Sequence, residues 1–254
     1  MQLFHPLRPR KSLVVAALLL VSAATWALAP PFEFAAFGSA KRMMHTGDTR
    51  GQVKLADIPQ SAGHWGLGAL ANRQGEVLLH DGRLLVSHGI DPQGHVAPAQ
   101  DGDEAALFAV ARVRQWAEVA LPSDMNQRQF EAFVLAQAQS LDLDLAAPFP
   151  YVVQGRYPQL TWHVVNGPRP ASGGPVLDSH TNPPADSQAG QRVFMQPGLS
   201  GRLVGVYSGE QFEGVVSHAG ERFHVHYADD ALTVSGHVDG YTVARGSLLR
   251  LPLR

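Results

Sequence analysis

At 254 residues, 45% hydrophobic and 17% charged, the chain can bury a sizeable core and is too apolar to be disordered. A net charge of −2, with no long basic run and no interleaved basic and aromatic stripe, argues against a nucleic-acid partner. The absence of cysteine excludes disulfides, thiolate ligands and a cysteine nucleophile, so any metal must be held by histidines and carboxylates.

Arg8, Arg10 and Lys11 precede an uncharged apolar run over residues 12–29, and Pro30 and Pro31 follow. This is the layout of a secretory signal, and it predicts export to the periplasm or the extracellular space. Ala27-Leu28-Ala29 offers one cleavage site and Ser22-Ala23-Ala24 an earlier one. Left uncleaved, a run of roughly 18 residues would instead anchor the chain in a membrane. Residues 1–29 hold three basic side chains and no acidic ones, so cleavage after Ala29 would change the net charge from −2 to −5.

From Gly47 onward, short alternating runs broken by turn residues predict a mostly β protein. The clearest hairpin joins residues 76–80 to residues 83–86 through Asp81-Gly82, a pair suited to a two-residue turn with positive φ. The segment 105–121 fits strand or helix equally. A helix is expected between Ser123 and Leu141, where Phe130, Phe133, Val134, Ala138 and Leu141 share one face and Ser123 or Asp124 can cap the start. Residues 166–191 are rich in Pro, Gly, Ser and Asp and read as a connecting segment and domain boundary. Beyond it, residues 201–207, 223–228 and 233–243 read as strands.

Those last strands carry a histidine cluster. In Phe223-His-Val-His-Tyr227, His224 and His226 are two apart and point to the same face of a strand. His237 lies beyond the turn-like residues 229–232. It joins the other two on one face if His226 pairs with His237, and leaves them if His226 pairs with Gly236. Three neutral imidazoles on a rigid hairpin suit zinc or another divalent metal and leave coordination positions open. The plain alternative is a solvated or cross-strand histidine pair. Asp229 and Asp230 read as turn formers. Asp239 either orients a metal-bound histidine or faces solvent, and His64, His80 and His88 read as surface or turn residues.

The run Phe223-His-Val-His-Tyr-Ala-Asp-Asp230, followed six residues later by His237-Val-Asp239, resembles the signature of acetolactate decarboxylases, in which two alternate histidines and a third eleven residues on bind zinc. Residues 201–208 are similar to the strand leading into that family's metal hairpin. Gly66-Leu-Gly-Ala-Leu-Ala-Asn-Arg-Gln-Gly-Glu76 resembles its glycine-rich segment, whose glutamate reaches the metal; Glu76 is the matching position. The likeness spans roughly residues 54–243. It departs in three places: His163 stands where the family has a substrate-binding arginine, Ala69 replaces a small hydroxyl residue, and no acidic residue after Asp239 matches a second glutamate of the family's C-terminal tail.

The strand pattern and the resemblance together imply an α+β, mostly β fold with two β-rich lobes and a metal site in the cleft between them. The N-terminal lobe would cover residues 45–165, and the C-terminal lobe, residues 192–254, would carry the metal hairpin. The implied activity is metal-dependent decarboxylation of a 2-hydroxy-3-oxo acid such as 2-acetolactate to acetoin and CO2. In it His224, His226 and His237 bind the metal, Glu76 handles a proton, and His163 contacts the substrate or is simply a packed core histidine. A homodimer is the implied assembly. The alternatives are an exported metal-containing small-ligand binding module of the same fold, or a related metal enzyme acting on another oxo acid.

Overall fold

The computed structural model describes residues 32–167, 190–218 and 220–253. The targeting segment 1–29 and most of the 166–191 connection lie outside the described residues. Among the described residues no helix is long and apolar enough to cross a membrane.

The chain forms two mostly antiparallel sheets in succession. The first takes β1 (Phe32–Gly38), β2 (Val53–Lys54), β3 (His64–Leu70), β4 (Gly75–His80), β5 (Arg83–His88), β6 (Val96–Ala97) and β7 (Glu104–Val113), in the order β1-β7-β3-β4-β5-β6 with β2 also on β7. A short helix α1 (Ala40–Thr46) follows β1. The second sheet takes β8 (Trp116–Ala120), β9 (Met125–Asn126), β10 (Phe149–Val165), β11 (Gln191–Tyr207), β12 (Phe223–Asp229), β13 (Ser235–Val243) and β14 (Leu248–Pro252), in the order β8-β14-β10-β11-β12-β13-β9. Helix α2 (Gln127–Ser140) packs on it.

Local chemistry explains the main elements. Asp81 and Gly82 take φ of 47° and 81°, and His80 pairs with Arg83 across the expected two-residue turn. Strand β7 has no period because both its faces are covered. Phe108 and Val110 enter a core within the first sheet's outer side, whereas Ala109 and Ala111 face clusters shared with the second sheet. Helix α2 buries Phe130, Val134 and Ala138. Its cap is Asn126, not Ser123 or Asp124: Asn126 and Gln129 form a reciprocal capping box, and the Asp124 carboxylate accepts the Arg245 N–H at 2.7 Å instead.

The sheets change over between Val113 and Trp116, so the division of the chain differs from the boundary read at residues 166–191. Strand β10 falls in the second sheet, paired antiparallel with β11 from Phe149 opposite Tyr207 to Val165 opposite Gln191. The connecting segment therefore joins two neighbours of one sheet. Strand β13 pairs with both β12 and β10, which closes β10 to β13 into a ring. The two sheets meet through Trp65, Leu78 and Leu85 on one side and Val152, Val204 and Ala228 on the other.

Two stability predictions arise here. The ring of buried Tyr151 covers its register partner Gly205, where an added Cβ would collide with the ring, while a Cβ at Gly240 would meet nothing within 4 Å. Gly205→Ala is expected to destabilise the fold by about 1–3 kcal/mol in urea unfolding, with Gly240→Ala close to neutral. The second concerns His80, partly buried with its ring 4.6 Å from that of Trp65. Burial, reinforced by the charge of Arg202, holds its imidazole down to about 4, below the ordinary 6.5. The folded protein thus keeps His80 neutral where the unfolded chain protonates it, so its contribution is whole above pH 6.5 and is lost as pH falls toward 4. Melting temperatures of His80→Asn are expected to fall less steeply than the parent's across that window.

Candidate metal centre

The closed ring of strands sets three histidines in a row. His226 on β12 pairs directly with His237 on β13, and His237 pairs directly with His163 on β10. This is the register that the sequence required for His226 and His237 to share a face. His224, two residues before His226, lies on that same face, its Nε2 3.1 Å from Nδ1 of His237. The ligand atoms of His224, His226 and His237 all lie within 4.8 Å of one another, and the three side chains are buried.

Neighbouring groups fix these rings. Nδ1–H of His224 donates to the Val216 carbonyl at 2.6 Å, which leaves Nε2 with its lone pair turned to the cluster. His226 is wholly buried, and neither ring nitrogen makes a hydrogen bond of regular geometry. Nδ1–H of His163 donates to the Asp239 carboxylate, at 2.8 and 2.9 Å from its two oxygens. Glu76 reaches in from the first sheet. It is 4% exposed, Oε2 is 3.7 Å from His226 Nε2, and Oε1 accepts the Val165 N–H at 3.4 Å.

Electrostatics follow from burial. Burial pushes His224 down to about 3 and holds His226 and His237 well below the usual imidazole value, with the neighbouring histidines acting in the same direction. All three are neutral near pH 7, the state in which imidazole binds a metal. Burial also raises Glu76 to about 7, against the pull of the nearby His163 and the Val165 N–H. At His163 burial opposes the charge, but Asp239 outweighs it and the imidazole is raised above its ordinary value.

The structure thus places His224, His226, His237, Glu76 and His163 together. Asp239 neither orients His237 nor faces open solvent; it grips His163. Asp229 closes the hairpin turn, accepting from the backbone N–H of Thr233 and Val234 and from the Thr233 hydroxyl. Two neighbours went unread in the sequence. His218 has its ring 5.7 Å from that of His237, places Nδ1 3.4 Å from a carboxylate oxygen of Glu221, and shares with His224 and His237 the lining of a small cavity of about 20 Å³. Arg73, three residues before Glu76, places its guanidinium against the Gly190 carbonyl.

Set beside known proteins, residues 38–250 match the family model described as alpha-acetolactate decarboxylase. The chain belongs to that family. It is 25% identical over 186 residues to the alpha-acetolactate decarboxylase of Streptococcus thermophilus, covering 72% of this chain and 70% of that one. The fold is also that of alpha-acetolactate decarboxylase from Bacillus subtilis strain 168, with a TM-score of 0.64 at 16% identity over 86% of this chain and 85% of that one. A Staphylococcus aureus protein of unknown function, described as similar to alpha-acetolactate decarboxylase, superposes equally well, with a TM-score of 0.64 at 16% identity, covering 86% and 84% of the two chains.

The residues of this family member suit a divalent cation. Two nitrogens on one tetrahedral zinc, with bonds of about 2.0–2.1 Å, stand roughly 3.3 Å apart; the His224 and His237 nitrogens are 3.1 Å apart. Neutral His226 carries one buried ring nitrogen with a lone pair that meets no hydrogen-bond donor, and a cation would accept it. The donor set is nitrogen with a carboxylate close by, a chemistry that zinc accepts.

Proposed function

We propose that the protein is a metal-dependent decarboxylase of 2-hydroxy-3-oxo acids such as 2-acetolactate, releasing CO2 and acetoin, with His224, His226 and His237 holding zinc or another divalent cation. One observation carries this reading: in a chain of the decarboxylase family, Glu76 of one sheet stands 3.7 Å from His226 of a three-histidine cluster on the other. When bound, the cation supplies Lewis acidity that stabilises the negative charge left on the substrate oxygens as the carboxylate departs.

The chain's own residues supply the rest. The reaction breaks one carbon–carbon bond, passes its electron pair toward the adjacent carbonyl, and then adds one proton to carbon. Glu76, buried and with its carboxyl raised to about 7 when no ion is bound, can hold that proton and deliver it from Oε2. His163, with Nδ1 fixed by Asp239, keeps Nε2 for a substrate oxygen. Packing between the sheets keeps bulk water from these groups, which strengthens each charge interaction.

The test is metal content and acetoin release, measured together on protein loaded with zinc, manganese or cobalt and offered racemic 2-acetolactate and its longer homologues. About one metal per chain with acetoin formed supports the proposal. Bound metal without product from any of these acids would overturn it in favour of a binding module of the same fold or an enzyme for another oxo acid. Export through residues 1–29 is part of the proposal. Protein recovered from the periplasm or the medium is expected to begin at Pro30 or Thr25.

A further inference from the structure

A hydroxyl sealed inside a protein without a partner destabilises the fold that carries it, so its presence calls for a reason. Ser87 is such a group. It is 1% exposed, and its hydroxyl makes no hydrogen bond within the protein. Strand pairing fixes where it points. Glu76 on β4 pairs directly with Ala69 on β3 and with Ser87 on β5, and Ser87 pairs in turn with Val96 on β6. Partners opposite one another share a face, with Cβ atoms about 4.5–5.5 Å apart. In the row formed by Ala69, Glu76, Ser87 and Val96, the serine is therefore the one polar side chain beside the carboxylate.

That face is the one turned toward the histidines. Leu78 and Leu85, two residues from Glu76 and Ser87 on their strands, pack in one cluster with Val152, Val204 and Ala228 of the second sheet. Val204 pairs directly with His226, and Ala228 lies two residues beyond His226 on the same strand. Ser87 and His226 thus belong to facing layers, and Glu76, the neighbour of Ser87, spans the gap to His226 at 3.7 Å. An oxygen of a small ligand lying against Glu76 comes within reach of the Ser87 hydroxyl. The chemistry of the donor narrows what that oxygen is. As a carboxylate departs, its negative charge moves to the oxygens that stay behind, so a permanent cation holding the carboxylate would stabilise the bound acid more than the transition state. A neutral hydroxyl aligns a carboxylate through one hydrogen bond without holding its charge in place.

We propose that Ser87 is a specificity-determining residue of this site, its hydroxyl donating to the carboxylate of the incoming 2-hydroxy acid. This role rests on the decarboxylase reading, for which it names the group that recognises the part of the substrate to be lost.

The test uses the metal-loaded full chain and two probes that cannot decarboxylate as the substrate does: 2,3-dihydroxy-2-methylbutanoate, and 2-methylbutane-2,3-diol, in which a methyl group replaces the carboxylate. Calorimetry, direct for the acid and by competition for the diol, is expected to show that Ser87→Ala binds the acid at least about tenfold more weakly than the parent does. Affinity for the diol is expected to stay within about twofold, with metal content unchanged. Removing an unpaired buried hydroxyl relieves the fold, so without either probe the variant is expected to melt at or above the temperature of the parent. A purely structural hydroxyl gives the opposite pattern, a lower melting temperature with probe binding intact. A variant that fails to fold or melts several degrees lower, an acid affinity within twofold of the parent, or an equal loss for acid and diol each overturns the role given to Ser87. Acetoin release by the same parent sample is scored separately. Its absence would remove the decarboxylase reading, whereas release together with an acid affinity untouched by Ser87→Ala would remove only the role of Ser87.

Discussion

Replacing His226 by alanine is expected to abolish metal binding and acetoin release together, with metal affinity falling by more than the 10–100-fold typical of groups that merely support a ligand. His226 lies on the strand that also carries His224, directly opposite His237. Removing it leaves two imidazoles and empties the position nearest Glu76. Product formation is expected to fall at least about 10³-fold, since the charge left by the departing carboxylate loses its main sink. His226→Leu separates a metal role from a packing role. In chelator-treated protein, leucine removes two buried nitrogens without hydrogen bonds, so stability should hold or rise. With zinc present the parent gains stability by mass action and the leucine variant does not. Equal melting shifts on adding zinc to parent and variant would show that the ion binds elsewhere.

The histidine hairpin was legible because its information is local. Spacing of two in a strand fixes a shared face, and the turn before His237 restricted the register to a few choices, of which pairing of His226 with His237 is the one observed. The helix was legible for the same reason, since Phe130, Val134 and Ala138 repeat at its period. Its cap was displaced because Asp124 bonds to Arg245, 121 residues away, which no local pattern records.

The connecting segment misled because composition shows where the chain leaves periodic structure, not whether the flanking strands pair. Strands β10 and β11 lie on either side of it and run antiparallel over nearly their whole length. The change of sheet between Val113 and Trp116 leaves no compositional mark, because β7 is apolar on both faces and β8 follows after two residues. Strand β1 was missed although Phe32, Phe34 and Ala36 alternate with Glu33 and Ala35; it lies just beyond the apolar run that drew the targeting reading. His218 lies in the irregular stretch before β12, so nothing periodic pointed to it. Arg73 was visible in the glycine-rich segment, but its direction depends on two left-handed residues that sequence alone does not reveal.

Glu76→Gln provides the second large effect and isolates proton handling from metal binding. Glutamine matches glutamate in shape and keeps an oxygen for the Val165 N–H, so the turn before β4 and the pairing of Glu76 with Ser87 should persist. What it cannot do is carry the proton. Burial raises the Glu76 carboxyl to about 7 with no ion bound and a cation beside it would pull it back down, opposing effects that suit a group which must both give a proton and recover it. Turnover is therefore expected to fall by about 10²–10⁴-fold, with metal content within twofold of the parent and affinity for the dihydroxy acid little changed. The split between kcat and KM reads the role directly, because an interaction made only as the proton moves lowers kcat and leaves ground-state binding intact. Loss of the metal together with activity would instead assign Glu76 to the coordination sphere. The 3.7 Å separation of Oε2 from His226 Nε2 places the carboxylate against the histidine cluster from the side of the first sheet, close enough for either outcome to be read cleanly.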